Sequence, residues 1–476
     1  MENNSNFALR DFLYRVEQRK VVNSDYEAVA ISSDYPPILV RVRDQIKEYH
    51  SDELSRAPLG SDEHRARLKS LIMRYINQMK LAGELPLNAL VDKIYSDMAG
   101  LGLLDKYLAD PTVEEINING SERGQTWVVD ATGKHAIPEG FASPEEAFNI
   151  ITKAARLGDV IIDGSMPYGD SYIYKGVRMS GIISPIVSSD VGAIASIRIQ
   201  QPSKVTRENV ILWETAIAQE LDFLSLCLNN GVSVAFAGPT GSGKTADMGM
   251  LLSSVPSNTR VVTIEDTAEL SLRRVDEHGR SNDVVQLLTR ETPNPVNMGD
   301  LLRSSMRLHP EILVTAEMRG EEAMTVQEAG RTGHTISTTL HANSAVDAYD
   351  RILTMCLMSD TSLSEERLLR NIVSALPIMV FKKQLRDGSR KYMEIIEAVD
   401  VVDGKVVANT LYKYVITGRE VDEAGNITRF HGRHEKQAEP SAKLLQKLLD
   451  EGVDAEVLRE FAPHFISQLP KERVVL

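Results

Sequence analysis

The sequence of 476 residues predicts an α/β fold in which helices cover both faces of a parallel sheet. Two observations support this prediction. Between about residues 210 and 400, short apolar segments alternate with segments of helical period, which is typical of parallel sheets. The first apolar segment also runs directly into the glycine-rich stretch FAGPTGSGKT, residues 236–245. A glycine-rich turn between a strand and a helix is an arrangement that binds phosphates.

Changes in composition divide the chain into four parts. Residues 1–90 are predicted to form a helical extension, with helical period in DFLYRVEQRKVV and EHRARLKSLIMRYINQMKLAG and an interruption at ISSDYPPILV. Residues 91–199 contain β-branched segments and one amphipathic helix, capped by Ser143 and begun by Pro144, which predicts a mixed α+β domain. The polar segment QQPSKVTREN, residues 200–209, is the predicted linker. Residues 210–476 are predicted to form the α/β domain with a C-terminal subdomain.

The α/β domain is predicted to alternate four strands with three helices. The predicted strands are VSVAFAG, RVVTIED, EILVTAE and TISTTL, and the predicted helices between them are TADMGMLLSSV, MGDLLRSSMRLH and EEAMTVQEAGRTG. Asn343 is the expected cap of the next helix, SAVDAYDRILTMCLM, because asparagine accepts hydrogen bonds from the first free amides of a helix. The C-terminal part mixes short strands, among them KVVANTLYKYVI, with the helix SAKLLQKLLDEG.

Composition argues against several classes of protein. The apolar content of 42% is enough for globular cores, but no run reaches the roughly 18 apolar residues of a membrane-spanning helix. The formal charge of −14 lacks the basic footprint of a non-specific nucleic-acid binder, so no nucleic-acid partner is expected. The N-terminal MENNSNFALRDF shows no secretory signal. Cys227 and Cys356 are isolated in apolar surroundings, as expected of thiols in a reducing compartment, and a cytoplasmic location is predicted.

The stretch GPTGSGKT matches the pattern G-x-x-x-x-G-K-[ST] of phosphate loops. In such loops the glycines let backbone N–H groups wrap a phosphate, the lysine reaches the β- and γ-phosphates, and the hydroxyl binds Mg²⁺. ATP and Mg²⁺ are therefore the predicted cofactors. The loop residues predicted to bind the nucleotide are Gly238, Pro239, Thr240, Gly241, Ser242, Gly243, Lys244 and Thr245.

Phosphoryl transfer also needs groups that hold the metal and orient the attacking water. Carboxylates at the carboxyl ends of strands beside the loop can supply both, because ligands bind at that edge of such sheets. Two predicted strands end in this way. RVVTIED ends at Glu265 and Asp266, with Glu269 just beyond, and EILVTAE ends at Glu317.

The order of these motifs resembles that of the type II/IV secretion ATPase superfamily. GPTGSGKT matches its Walker A motif, TIEDTAEL its Asp box, LLRSSMRLHPEILVTAEMRGEEA its atypical Walker B and TGHTISTTLHANS its His box. Upstream, LADPTVEEININGS is similar to the opening of the family's N-terminal domain. The resemblance covers roughly residues 90–420 and is closest to Tad-type pilus assembly ATPases, which favour EDTAEL and HANS and carry a helical N-terminal extension.

The resemblance implies a RecA-like P-loop ATPase core that assembles into a homohexamer. Nucleotide would lie between this core and the N-terminal domain. The segments GVRMSGIISP and ASIRI of that domain would supply Arg178 and Arg198 to the nucleotide. With only two cysteines, the chain lacks the four-cysteine metal module of some type II secretion ATPases.

The resemblance also implies roles for the acidic and His-box residues. Glu265 would orient the attacking water and Glu317 would help to hold Mg²⁺, although the sequence permits the reverse. Arg319 would neutralise or sense the phosphate charge. His334 and His341 would sense the γ-phosphate.

The implied function is ATP hydrolysis that powers assembly of a Tad-type pilus, or secretion, through inner-membrane platform proteins. The enzyme would be cytoplasmic and peripheral at the inner face of the cytoplasmic membrane. A type IV secretion or conjugation ATPase of the same superfamily is the first alternative. A nucleic-acid motor, a small-molecule kinase and a nucleotide-gated scaffold remain open, because each can use the same phosphate loop.

Overall fold

The computed structural model describes residue 29 and residues 32–56, 62–110, 112–130, 133–174, 176–199, 205–290, 294–423 and 425–469. The chain divides into two compact units, Met1–Gln200 and Gln201–Leu476. The predicted helix at residues 11–22 and residues 200–204 of the predicted linker lie outside the described residues. Within the described ranges, no helix is long and apolar enough to cross a membrane.

Helices open the first unit. They are α1 (Tyr35–Tyr49), α2 (Ser51–Arg56), α3 (Asp62–Gln78), α4 (Leu87–Met98) and α5 (Asp105–Leu108), with a 3₁₀ turn at Gly102–Leu104. The prediction that ISSDYPPILV interrupts the helices is wrong in part, because α1 begins inside it. Pro36 and Pro37 stand in the first turn of α1, where the missing N–H of proline breaks no helical hydrogen bond. The core between these helices is formed by Ile38, Val42, Ile46, Leu68, Ile72, Ile76, Leu90 and Ile94.

A six-stranded sheet follows in the same unit. Its strands are β1 (Glu115–Ile118), β2 (Thr126–Asp130), β3 (Gly133–Ala136), β4 (Tyr168–Tyr174), β5 (Val177–Ile183) and β6 (Ala193–Ile199), in the order β3-β2-β1-β6-β5-β4. Helix α6 (Pro144–Leu157) packs against one face of it. As predicted, Ser143 caps α6 by accepting a hydrogen bond from the Glu146 N–H at 3.1 Å. The sequence does not predict strands β3 and β4, because GKHA and YGDSYIY contain no run of β-branched residues.

The second unit is built on a nine-stranded sheet in the order β15-β14-β13-β12-β7-β11-β10-β8-β9. Six strands run parallel to one another: β7 (Val234–Ala237), β8 (Val261–Glu265), β9 (Val284–Leu288), β10 (Ile312–Thr315), β11 (Thr335–Leu340) and β12 (Ile378–Gln384). The sheet continues as an antiparallel ribbon of β13 (Arg390–Val402), β14 (Lys405–Val421) and β15 (Ile427–Lys436). Strands lie within all four segments predicted for them in this domain.

The helices of the second unit are α7 (Arg207–Leu212), α8 (Ala218–Asn229), α9 (Lys244–Leu252), α10 (Met298–Ser305), α11 (Glu322–Arg331), α12 (Ala345–Cys356), α13 (Glu365–Ala375), α14 (Ala442–Asp450), α15 (Ala455–Arg459) and α16 (Pro463–Ser467). Of these helices, α9, α10, α11, α12 and α14 begin close to their predicted positions, and the others were not predicted. A 3₁₀ turn at Met306–Leu308 follows α10.

Two boundaries of these helices differ from the prediction. Helix α7, capped by Thr206, begins inside the segment predicted as linker. Ser344, rather than Asn343, caps α12, because the Ser344 side chain accepts a hydrogen bond from the Asp347 N–H at 3.0 Å. The Asn343 N–H instead donates to the Asp347 carboxylate at 2.8 Å.

Side chains of β7 alternate between two cores. Val234 and Phe236 pack with α8, α9 and α14 on one face, whereas Ala235 and Ala237 pack with α11, α12 and α13 on the other. Helices therefore cover both faces of the parallel strands, and the predicted α/β fold is confirmed. Because six strands share one direction, their carboxyl ends lie along one edge of the sheet. We call this the carboxyl edge, and the opposite one the amino edge.

Candidate nucleotide site

The phosphate loop lies at the carboxyl edge, between the end of β7 and the start of α9. Gly241 and Gly243 have φ angles of 78° and 82°, which favour glycine. Gly238 is required by space, since a Cβ there would stand 2.0 Å from the carbonyl oxygen of Lys382. The loop therefore turns sharply and leads into the free amides of the first turn of α9, which is the geometry of an anion site.

Lys244 is the first residue of α9, and its side chain is buried. Its Nζ donates hydrogen bonds to the carbonyl oxygens of Gly238 and Pro239 at 2.9 and 3.0 Å. The Ser242 hydroxyl donates to the same Pro239 carbonyl at 2.8 Å. Pro239 and Thr240 form the exposed tip of the loop. The ammonium is therefore held inside the loop, where phosphate groups bind in proteins of this pattern.

Glu317 follows β10 and is held by two side chains. Its carboxylate lies 2.6 Å from the Arg319 guanidinium and 3.1 Å from Nε2 of His341. Arg319 also lies 3.7 Å from the Asp266 carboxylate. The other ring nitrogen of His341 is 3.1 Å from the Gly238 carbonyl oxygen. His341 therefore bridges the phosphate loop and Glu317.

These neighbours control the charge of Glu317. Burial raises the pKa of its carboxyl, but the hydrogen bond and charge of Arg319, with His341 and Lys244 nearby, outweigh burial and lower that pKa. The hydrogen bond to Glu317 in turn raises the pKa of Arg319. Glu317 is thus ionised at neutral pH, and its side chain is still 22% exposed. An accessible ionised carboxylate beside a phosphate loop can bind Mg²⁺ or accept a hydrogen bond from water.

Glu265, the last residue of β8, is fully buried. One carboxylate oxygen accepts hydrogen bonds from the N–H groups of Glu269 and Leu270, both at 2.8 Å. The other accepts from the Gln286 amide at 2.8 Å and from the Thr263 hydroxyl at 3.1 Å. Both oxygens are committed to protein donors and shielded from solvent. In this geometry Glu265 holds the loop after β8 in shape, and its role in orienting the attacking water stays a prediction.

Asp266 and Glu269 are the accessible carboxylates of that loop. Asp266 is exposed and accepts a hydrogen bond from the Thr289 hydroxyl at 2.9 Å, and Glu269 is half-buried. After the hydrogen bond to Glu317, the charges of both carboxylates contribute to the raised pKa of Arg319. A signal in the sequence could have favoured them over Glu265. A strand buried on both faces turns its last side chain into the core, and the residues just beyond it face the edge.

The two histidines of the TGHTISTTLHANS segment lie at opposite edges of the sheet. His341 follows β11 at the carboxyl edge, whereas His334 precedes β11 at the amino edge. The ring of His334 lies 3.3 Å from the Ala329 carbonyl oxygen and 3.5 Å from the Thr332 hydroxyl. The intervening strand separates the two histidines by about 20 Å at the usual rise per residue. The structure therefore does not bring His334 to this site.

Arg178 and Arg198 lie in the first unit, on the neighbouring strands β5 and β6, where they stand directly opposite each other. Arg178 pairs with Asp170 at 2.9 Å. Arg198 is exposed and stands opposite Glu115 of β1. Residues directly opposite share a face of a sheet, so the two arginines form one basic pair on the six-stranded sheet. The groups described around the phosphate loop all come from the second unit.

Two cations of the β12–β13 hairpin also contact the loop. Lys382 Nζ donates to the Gly243 carbonyl oxygen at 3.3 Å, and Arg390 Nε donates to the Gly241 carbonyl oxygen at 3.1 Å. Sequence reasoning missed both. They follow the loop residues that they contact by 139 and 149 positions, and no recognised motif contains them.

The donors at the carboxyl edge fit ATP with Mg²⁺. The loop amides and Lys244 suit phosphate, and the Thr245 hydroxyl and the Glu317 carboxylate are oxygen ligands of the kind that Mg²⁺ prefers. Among the residues that the structure describes, no group of three or more His, Cys, Asp or Glu side chains could hold a metal ion by itself.

Comparisons with known proteins show which proteins this chain is similar to. Residues 176–421 match the family model described as "Type II/IV secretion system protein". The type IV secretion system protein PtlH of Bordetella pertussis is 28% identical over 321 residues, which cover 61% of this chain and 91% of that protein. The conjugal transfer protein TrbB of Rhizobium radiobacter is 25% identical over 300 residues, which cover 61% of this chain and 84% of that protein. Among solved structures, the VirB11 ATPase from the Brucella suis type IV secretion system, in complex with sulphate, is 26% identical, with a TM-score of 0.34, and the match covers 62% of this chain and 92% of that chain.

Proposed function

The chain belongs to the type II/IV secretion system protein family, and on this premise we propose that its ATP hydrolysis powers assembly of a Tad-type pilus or secretion through a membrane platform. Family membership together with the phosphate loop makes the chain an ATP-hydrolysing enzyme. The observation that carries the proposal is the continuous set of contacts from Lys244 through His341 and Glu317 to Arg319. It couples the loop that binds phosphate to the end of β10, which is separated from β7 by β11 in the sheet.

In this proposal each of the side chains around the loop has a separate role. Lys244 and the loop amides bind the β- and γ-phosphates, and Thr245 with Glu317 holds Mg²⁺ or its bound water. Mg²⁺, when bound with ATP, neutralises part of the phosphate charge. Arg319 and His341 respond to the γ-phosphate, because both already contact Glu317. Glu265 acts indirectly, by fixing the amides of Glu269 and Leu270.

The proposed assembly is a cytoplasmic homohexamer at the inner face of the cytoplasmic membrane. Arg178 and Arg198 are its additional nucleotide contacts, which the first unit contributes. Both lie on one sheet face, so a single anionic ligand that displaces Asp170 from Arg178 could contact the two guanidinium groups. Force would reach the membrane through inner-membrane platform proteins, and the N-terminal helices are the proposed docking element.

A type IV secretion or conjugation ATPase is the second candidate function. The relatives PtlH and TrbB favour it, because their names refer to type IV secretion and conjugal transfer. Deletion of the gene in its own host separates the two candidates. Loss of surface pili supports pilus assembly, and loss of DNA transfer with pili intact supports the second candidate.

The first test combines steady-state ATP hydrolysis with solution mass by light scattering, for wild type and Glu317→Gln. We expect Mg²⁺-dependent hydrolysis and a nucleotide-supported hexamer for the wild type. Glu317→Gln should hydrolyse about 100-fold more slowly while it still assembles, because the amide removes a charge near the transferring phosphate. Glu311→Gln is the matched control at the amino edge, where the Glu311 carboxylate accepts a hydrogen bond from the Arg260 N–H at 2.9 Å.

Two outcomes would contradict the proposal. If Glu317→Gln hydrolyses ATP like the wild type, Glu317 does not belong to the reaction centre. If the protein stays a monomer in every nucleotide condition, the ring is wrong and a scaffold or kinase becomes the better interpretation.

A further inference from the structure

A buried ion pair lies directly behind the phosphate loop. The Lys382 Nζ is 2.6 Å from the Asp247 carboxylate, and the two side chains are only 4% and 1% exposed. Asp247 belongs to the first turn of α9, and its N–H donates to the Gly243 carbonyl oxygen at 3.2 Å. Burying two charges is expensive, and such a pair often stabilises a fold no better than apolar residues would. Stability alone therefore does not account for this pair.

Lys382 contacts the phosphate loop at both of its ends. At the first end, its backbone carbonyl oxygen fills the space that a Cβ on Gly238 would need. At the second end, its Nζ donates to the Gly243 carbonyl oxygen at 3.3 Å. Gly243 is the last residue before α9, so this one lysine fixes the separation of the points where the loop leaves β7 and enters the helix.

The other side of the ion pair is closed by Tyr392. This residue stands opposite Lys382 in the ladder between β12 and β13, and its ring centroid lies 6.0 Å from the Lys382 Nζ. Burial raises the pKa of Tyr392, and the charge of Asp247 adds to the effect, so the phenol stays neutral beside the pair. Lys382 is therefore enclosed by the hairpin on one side and by the loop on the other. It has little freedom to leave the Gly243 carbonyl.

We propose that Lys382 is a positioning residue for ATP, which holds the phosphate loop in its binding shape through Gly243 while Asp247 fixes the lysine. This inference rests on the proposed nucleotide site. Lys382 does not touch the nucleotide in this account. It keeps the loop amides and Lys244 aligned, and preformed alignment of such donors determines how tightly phosphate binds.

The test compares two variants that both lack the Asp247 charge, so that repulsion of phosphate by that carboxylate cannot explain the result. Asp247→Asn keeps an acceptor for Lys382, and Lys382→Met/Asp247→Leu replaces the pair with apolar side chains. Binding of fluorescent ADP and melting temperature are measured for both, alongside the wild type. We expect the double variant to melt near the wild-type temperature but to bind ADP about 10- to 100-fold more weakly than Asp247→Asn.

Lys391→Met supplies the matched control. Lys391 is a neighbouring lysine on the same hairpin, its side chain is 4% exposed, and its Nζ donates to the Trp213 carbonyl oxygen at 3.1 Å, away from the loop. This variant should lower the melting temperature and leave the affinity for ADP within about twofold of the wild type.

The outcomes separate this inference from the proposed function. Equal affinities for Asp247→Asn and the double variant would overturn the inference and leave a structural ion pair. An equal loss of affinity in Lys391→Met would also overturn it, because any damage to the hairpin would then suffice. Failure of the wild type itself to bind ADP would instead reject the nucleotide site.

Discussion

The carboxyl and amino edges of the nine-stranded sheet contain the same kinds of side chain in different electrostatic settings. Glu317 at the carboxyl edge and Glu397 at the amino edge are both largely buried carboxylates. Arg319, His341 and Lys244 outweigh burial at Glu317 and lower its pKa. At Glu397, burial outweighs the hydrogen bonds from Ser441, and the pKa is raised. The cations around Glu317 and its position at the carboxyl edge therefore distinguish it from Glu397, whereas residue type and burial do not.

The largest expected contrast between the edges concerns two lysines. Lys244→Ala should reduce ATP hydrolysis about 1,000-fold, because it removes the ammonium that we propose contacts the transferring phosphate. Lys447→Ala should leave hydrolysis within about twofold, since Lys447 Nζ donates to the Gly231 carbonyl oxygen at the amino edge. Steady-state hydrolysis on both variants checks the pair. Comparable losses in the two would mean that the edges are not functionally distinct.

Glu265→Gln sharpens the comparison within the carboxyl edge. The substitution weakens the charge-assisted hydrogen bonds to the Glu269 and Leu270 amides, and we expect the free energy of unfolding to fall by about 2 kcal/mol. Denaturant unfolding measures this change. Hydrolysis by the folded variant should fall less than in Glu317→Gln. A stable Glu265→Gln protein that does not hydrolyse ATP would instead support Glu265 as the residue that orients the attacking water.

A smaller difference in kcat is expected between variants of the two histidines that flank β11. His341→Asn should lower kcat about 10-fold, because it breaks the link between the phosphate loop and Glu317. His334→Asn should change kcat less than twofold in a dilute, unassembled preparation, since His334 lies at the other end of β11. If His334→Asn matters only when the protein is assembled, the residue acts on a neighbouring subunit.

The smallest expected effect is on stability at the amino edge. Because the pKa of Glu397 is raised in the folded state, ionisation at neutral pH opposes folding, and this penalty fades as the pH falls through the folded pKa. Glu397→Gln keeps an acceptor for the Ser441 N–H that opens α14, so it should stabilise the protein by about 0.5–1 kcal/mol at pH 7. Denaturant melts at pH 7 and under mild acid check that the gain shrinks on acidification. A loss of the same size at both pH values would mean that the second carboxyl oxygen is needed as an acceptor, whatever its charge.

Some of the site follows from general rules that the sequence already permits. In a parallel sheet, a residue that follows a strand lies at the carboxyl edge and one that precedes it lies at the amino edge. TISTTL stands between His334 and His341, so this rule alone separates the two histidines. The same reasoning favours residues just beyond β8 over Glu265, which ends a strand buried on both faces.

The sequence by itself determined the phosphate loop, the alternation of strands and helices, and the family, because each depends on residues that are contiguous or in fixed order. Only the tertiary structure decided which carboxylates remain accessible and which cations surround them. It also placed Lys382 and Arg390 against a loop that precedes them by 139 and 149 positions. The physical reason is that β12 is hydrogen-bonded to β7, although the two strands are far apart in the sequence. Such pairing leaves no local sequence pattern from which the contacts could be predicted.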